Sequence, residues 1–444
     1  GGRRGVDFDF NDEQREIKQT AKSFAMYVVE APGERAVVIN PTEGVRELAF
    51  FGGAVRLQGG GYGTFINGNP IPRDRLDAWH EDVEALGPQI FADFNLDGPI
   101  SAGEAPGIFV VGETEFPNGT LEEPLPGTRL LNAGYPFSAA DAVIDGFRIS
   151  GSKAGGGIFA FSGTAGLEIG NNNITGNQGS YGGGIVVGAP DLGIHTIVDI
   201  NNSGVVIRRN KIHRNGGIQG GGGIALNDAA GGYLVEENLI TGNFGRYNGG
   251  GIQHRGLCDG DNIIRPNRIL FNEVFFGALL ALAGDGAGIF IGSDAAGGTG
   301  TGSVTIDGNL IQGNMTGAGN GGGIRAFAVN GQDVQASPDD DATWYRLDIF
   351  NNIIVNNVAG HSGAGISLQD VARANIVNNT IARNDSTATS ALAFQAGEVD
   401  STPQPAGIAS NIHSATLQGY FGTALQETYS NPLLVNNIIR QNRS

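Results

Sequence analysis

Ile207-Arg208-Arg209-Asn210-Lys211-Ile212-His213-Arg214-Asn215 is answered 28 residues later by Val235-Glu236-Glu237-Asn238-Leu239-Ile240-Thr241-Gly242-Asn243. The shared phrase is apolar-x-x-Asn-x-Ile-x-x-Asn. Outward from these two copies it recurs with Ile169, Asn172, Ile174, Asn177 and with Ile264, Asn267, Ile269, Asn272. Further copies hold Asn309 and Ile311, Asn352 and Ile354, Asn379 and Ile381, and Asn437 and Ile439, with a degenerate first copy at Ile144, Phe147 and Ile149. A second phrase, Gly-Gly-Gly-Ile or Gly-Ala-Gly-Ile, falls between them, as at Gly221 to Ile224, Gly249 to Ile252 and Gly321 to Ile324.

The shortest spacings between first Asn residues are 27, 28 and 29, a period that belongs to solenoids. Apolar and polar residues alternate within short runs, so the units are strands. The Leu-x-x-Leu-x-Leu phrase of leucine-rich repeats is absent, as are the longer 3.6-period runs of helical repeats. Stacked in parallel, each coil places a residue over its copy at about 4.8 Å. The Ile column then becomes the core. The Asn columns are expected at the corners, in left-handed backbone, with each amide bonding to the copies above and below. The glycine phrase lets the backbone turn beside the next coil. A disordered Gly/Asn-rich chain has no reason to hold Ile in register through eight copies.

These phrases resemble the right-handed parallel β-helix repeat family, within the pectate-lyase-like superfamily. The likeness covers residues 143–442 strongly and 45–70 weakly. It implies an all-β solenoid of about nine coils over residues 45–444, preceded by an N-terminal segment at 1–44 with a capping helix. Residues 11–28 suit that helix: Asn11 caps it, and Ile17, Ala21, Phe24 and Val28 share a face, with a partner-binding helix as the alternative. A second helix is read over 72–86, from Pro72 to Gly87, inside an insertion at 70–107. Long loops leave the coils at 187–204, 273–285, 325–346, 385–404 and 409–432.

The insertion carries Asp93-Phe-Asn95-Leu-Asp97-Gly98-Pro99-Ile-Ser101-Ala-Gly-Glu104, which is similar to the calcium loop of EF-hand and dockerin modules at every specified position. That likeness implies calcium held by Asp93, Asn95 and Asp97 side chains, the Pro99 carbonyl, Ser101 directly or through water, and Glu104 in bidentate fashion. Ala105-Pro106 blocks an exiting helix, so the loop is expected to be structural. An empty Asx-rich turn is the alternative.

The chain of 444 residues carries 45 acids against 27 bases, a net charge of −18. That balance suits solubility and calcium, and argues against nucleic acid and anionic membranes. No apolar run is long enough to span a membrane. The single Cys258 excludes an internal disulfide and reads as a buried, inert thiol. There is no initiating Met, and the chain stops inside a repeat at Arg443-Ser444, so it reads as a processed product or part of something longer. Its last coil is then expected to be covered by further precursor domains or other subunits.

Function is less sharply written. The 325–346 loop places Asp339, Asp340 and Asp341 near Trp344 and Tyr345, a set suited to polysaccharide binding or to a solvated tip anchored by its aromatics. The superfamily's catalytic phrases are missing: the Asn-Thr-Asp and Gly-His-Gly of polygalacturonases, and the Asp-Pro-His-Glu of uronan epimerases. Arg265-Pro266-Asn267-Arg268 has the wrong spacing for a lyase strand, and Asn267 belongs to the ladder. Each of the six His is read as a surface or corner residue, with no acid beside it. The expectation is an extracellular or cell-surface structural or binding protein, its alternative a calcium-dependent lyase or epimerase on uronic-acid polymers.

Overall fold

The computed structural model describes residues 106–111, 142–152, 155–179, 181–188, 201–218, 220–275, 284–293 and 295–444, with the short strands Val38–Ile39, Glu47–Phe50, Arg56–Gln58 and Phe65–Ile66. The expected helices at 11–28 and 72–86, the calcium loop at 93–104 and most of the 187–204 and 273–285 loops lie outside the described residues.

The alternating phrases form four stacked sheets of 11, 10, 10 and 7 strands. One coil shows the order. Ile185–Val187 lies in the first sheet, Val206–Arg208 in the second, Lys211–His213 in the third and Gly216–Gly217 in the fourth, after which Ile224–Leu226 returns to the first. Named strands pair in parallel, except for Val38–Ile39 with Glu47–Phe50. Register follows the repeat: Ile212 pairs with Ile174 and Ile240, and Ile240 with Ile269.

Every inward Ile therefore touches its copies. Ile174, Ile212, Ile240, Ile269, Ile311, Ile354 and Ile381 are fully buried in one continuous core. Burying each such side chain contributes about 1.5–3 kcal/mol. Leu434 and Ile439 continue these columns at the rim of the stack, where they are 51% and 47% exposed.

Two Asn ladders run beside the Ile columns. In the first, from Asn172 through Asn210, Asn238, Asn267, Asn309, Asn352 and Asn379 to Asn437, each backbone N–H and Nδ2 donate to the next Oδ1 at 2.8–3.1 Å. Nδ2 also donates back to an Ile or, at Asn267, a Val carbonyl of the preceding coil, as Asn210 does to Ile169 at 2.8 Å. The second ladder, from Asn177 to Asn442, repeats this geometry.

The left-handed corner is not the ladder Asn, as expected, but the residue before it. Arg209, Glu237, Asn351 and Asn378 have φ of 55–59°, and at the next corner so do Arg214, Phe271 and Arg383 at 52–56°. The ladder Asn bonds on both sides and pulls its predecessor into αL, so even Arg and Phe accept a region normally left to Gly and Asn. Glycine is required elsewhere. A Cβ on Gly223 would lie 2.5 Å from the Gly251 carbonyl and 2.9 Å from Ile240 Cγ2, so the last Gly of the phrase exists for close approach.

Ile240→Asp places a charge in the dry column and should destabilise the protein by several kcal/mol. Chemical denaturation followed by circular dichroism reads this directly. A midpoint equal to the parent's would mean that Ile240 does not face inward.

Candidate functional site: a loop lobe beside the first sheet

Loops leaving the first sheet are long because nothing in the repeat limits them, and their own apolar residues then need cover. In 328–346 the chain forms a short helix, Gln332–Ala336, and a 3-10 turn, Asp341–Thr343. In 411–432 it forms Ala415–Gln418, capped by Ser414 Oγ accepting the Leu417 N–H. Val334, Trp344, Ala372 and Leu417 bury one another, with Tyr420, Phe421 and Leu425 packed around them. Trp344 meets Phe421 edge-on at 5.4 Å, and its Nε1–H donates to the Ser337 carbonyl at 2.8 Å.

This lobe decides what the expected acid and aromatic residues do. Asp333 accepts from Gly331 N at 2.6 Å, Asn330 Nδ2 at 2.7 Å and Tyr345 N at 2.8 Å. Trp344, at 5% exposure, is an anchor with no free ring face, and Tyr345 is half-buried against the main core. Asp339, Asp340 and Asp341 remain at the exposed tip. There the Asp339 carboxylate accepts from Ala424 N and that of Asp340 from Ala342 N, while the Asp341 backbone carbonyl takes Arg373. The Trp344 ring is thus withdrawn from solvent while the tip acids beside it stay exposed.

Beneath the lobe lies a group that reading along the chain missed. Asp370, just after Ile366–Gln369, meets His413 at 3.5 Å, Oδ1 to Nδ1, and both side chains are fully buried. Burial works to raise the Asp370 carboxyl, but His413 and the Ser414 N–H outweigh it, and it lies below the usual carboxylate range. Glu427 lies nearby, pushed upward by burial although His413 pulls it down. Here an acid does stand beside a His, contrary to the sequence expectation. The two are 43 residues apart in sequence, and only stacking of adjacent coils joins them.

A second polar group closes the corner before the first sheet. Arg325 is 3% exposed and donates to Asp285 Oδ2 at 3.1 Å, Ser367 Oγ at 2.9 Å and Gln369 Oε1 at 2.7 Å. Asp285 Oδ1 accepts the Asn320 N–H at 2.6 Å, and Asn320 Oδ1 accepts from His361 Nδ1 at 2.8 Å. Burial lowers the His361 pKa first, with Arg325 adding to the effect and Asp285 opposing it. A cue was readable: position 325 puts Arg where the aligned outward residues of the other coils are Phe290 and Ser367.

His254, expected at the surface, is inside. It sits two residues after the inward Ile252, the same parity in a strand. The Tyr233 hydroxyl donates to Nδ1 at 2.8 Å, and Nε2–H faces the Thr301 and Gly256 carbonyls at 3.0 and 3.1 Å. This fixes a neutral tautomer, and burial lowers the pKa to about 4. Cys258 is buried as expected, and burial first, then Asp228, raises its thiol.

The unfolded chain takes up a proton at His254 below about pH 6.5, but the folded chain does so only near 4. Stability present above pH 6.5 is therefore lost as pH falls through that window, on the order of 3 kcal/mol from this group. The lowered Asp370 adds a loss of the same sign at still lower pH. Denaturation midpoints measured from pH 7 to 4.5 should fall steadily; a flat profile would place the ring in solvent.

Residues 125–269 and 193–334 match the family model described as right handed beta helix region. Comparison with curated proteins gives no match, and neither does comparison with solved structures. The family match and the four parallel sheets in common register agree: the chain folds as a right-handed β-helix.

Proposed function

We propose that this is a secreted or cell-surface β-helix with a structural or binding role, working within an extracellular assembly. The observation that carries this reading is the pair of unbroken Asn ladders from Asn172 to Asn437 and from Asn177 to Asn442. A rod locked in register is stiff, and each outward column becomes a straight line of side chains, one per coil. Use of the buried polar groups supports the same reading. Asp333, Arg325 and His254 each hold loops or corners in place through three or more hydrogen-bond contacts. Polysaccharide contact, if the tip acids make it, falls to Asp339, Asp340 and Asp341 without Trp344.

Calcium belongs to the same proposal. Asp93, Asn95, Asp97, Pro99, Ser101 and Glu104 supply an all-oxygen set in the order a calcium loop requires. Its role would be to hold the 70–107 insertion together. Millimolar calcium should raise the thermal midpoint, and Asp97→Asn with Glu104→Gln should abolish the rise. Calorimetry showing no calcium heat for the parent chain would sink the site.

A second reading, a calcium-dependent lyase or epimerase on uronic-acid polymers, is favoured by one observation. Glu427, raised by burial beside His413, lines a concavity with Gln426, Tyr429 and Ser410, and a carboxyl shifted in that direction suits acid catalysis. The two readings part on a simple assay. Incubation with polygalacturonate or alginate, with and without calcium, should give no unsaturated uronate absorbance and no change in sugar epimer content. Product that disappears in Glu427→Gln would overturn the structural reading.

A further inference from the structure

The third sheet faces outward with a composition unlike the rest of this acidic chain. Its strands from Arg148–Ser150 to Ile438–Arg440 bury their middle residue, up to the rim strand, and turn the first residue outward; the third is outward as well except at Ser150, Thr175, Leu270 and Ala382, which are covered. Those outward positions include Arg148, Lys211, His213, Arg268 and Arg440, and none of them is Asp or Glu. Arg214 and Arg383 stand at the adjoining corner. Interleaved with them are Leu239, Leu310, Val355 and Ile353, the last 48% exposed. The second sheet, one corner away, is richer in acids, with Asp145, Glu168, Glu236, Asp307 and Asp348 against Arg56 and Arg208. His213 reports the local field: after burial, its lowered pKa reflects Lys211, Arg214 and Arg148, with no carboxylate opposing them.

We infer that the third-sheet face is a docking surface for a second copy of this chain, which meets it with the exposed acids of its first-to-second-sheet loops. Asp259, Asp261, Asp339, Asp340 and Asp341 are exposed on that flank. This inference rests on the assembling role proposed above and names its interface. Three arguments carry it. A flat face mixing Arg and Lys with exposed aliphatics, and lacking carboxylates, suits a protein partner better than a fully solvated surface. Ten strands at about 4.8 Å, each about 10 Å long, give on the order of 500 Å², so the contact takes in the adjoining corner with Arg214 and Arg383 to approach the roughly 800 Å² per partner of a stable interface. Face-to-face pairing of two third sheets would oppose cation to cation. The contact must therefore be heterologous, basic face to acidic flank, and such contacts propagate into arrays. The net charge of −18 does not forbid it, because at about 0.15 M salt repulsion fades beyond roughly 8 Å while contact pairs persist.

Light scattering and sedimentation of the full chain test this. At about 0.15 M salt the chain should form species larger than a monomer, dissociating toward 1 M as screening tightens. Lys211→Glu with Arg268→Glu should weaken association at least tenfold, as should Asp261→Lys with Asp341→Lys. Mixing the two variants should restore it, because each reversed face then finds its complement; misfolded variants would not rescue each other. Assembly that persists in both variants would overturn this interface while leaving the assembling role intact. A monomer at every salt concentration would overturn both. Retention of that monomer on polygalacturonate, lost in the Lys211 and Arg268 variant, would assign the face to a soluble polyanion instead.

Discussion

Each ladder Asn of this rod satisfies three demands at once. Its Oδ1 accepts two hydrogen bonds from the preceding coil, and its Nδ2 reaches forward to the next amide and back to an Ile carbonyl. A buried amide left unpaired is costly, so each coil can stack only in the register that pairs all of them. The Ile columns supply most of the burial energy but are permissive about alignment, because one Ile resembles another. The ladders are not permissive. They also impose the αL corner on the residue before them, Arg209, Glu237 and Phe271 included, except at Pro266, whose ring holds φ negative.

Register has a consequence for the surface. When every coil aligns, a bias at one position of the repeat becomes a stripe along the rod. The second and third sheets differ in this way, one lined by carboxylates and the other by Arg, Lys and aliphatics. Charge that would be scattered on a globular protein is gathered here into faces, each with its own field.

The lobe obeys a different rule. Where the loops leave the first sheet the repeat no longer constrains length, and the loops build a small core of their own around Trp344 and Leu417. Asp370 and His413 are drawn beneath it as neighbours on adjacent coils. There the imidazole and the carboxylate lie 3.5 Å apart, and the Ser414 N–H caps the carboxylate. Arg325 at the opposite end of the first-sheet strands is settled in the same way by Asp285, Ser367 and Gln369.

How much of this was written in the chain follows from distance. The Ile and Asn phrases recur every 27 to 58 residues and act on their nearest copies, so fold, core and ladder were readable by eye. The parity of His254 relative to Ile252, and an Arg at position 325 in a column of uncharged residues, were readable signals that frequency arguments about His and Arg obscured. The pairing of Asp370 with His413 and the retreat of Trp344 from solvent beside the exposed Asp339, Asp340 and Asp341 were not legible. They depend on loops of unrelated length meeting across coils. The sequence by itself determined the repeating coil, because each copy needs only its neighbour. Only the tertiary structure decided which polar residues are buried, because that depends on what the loops happen to cover.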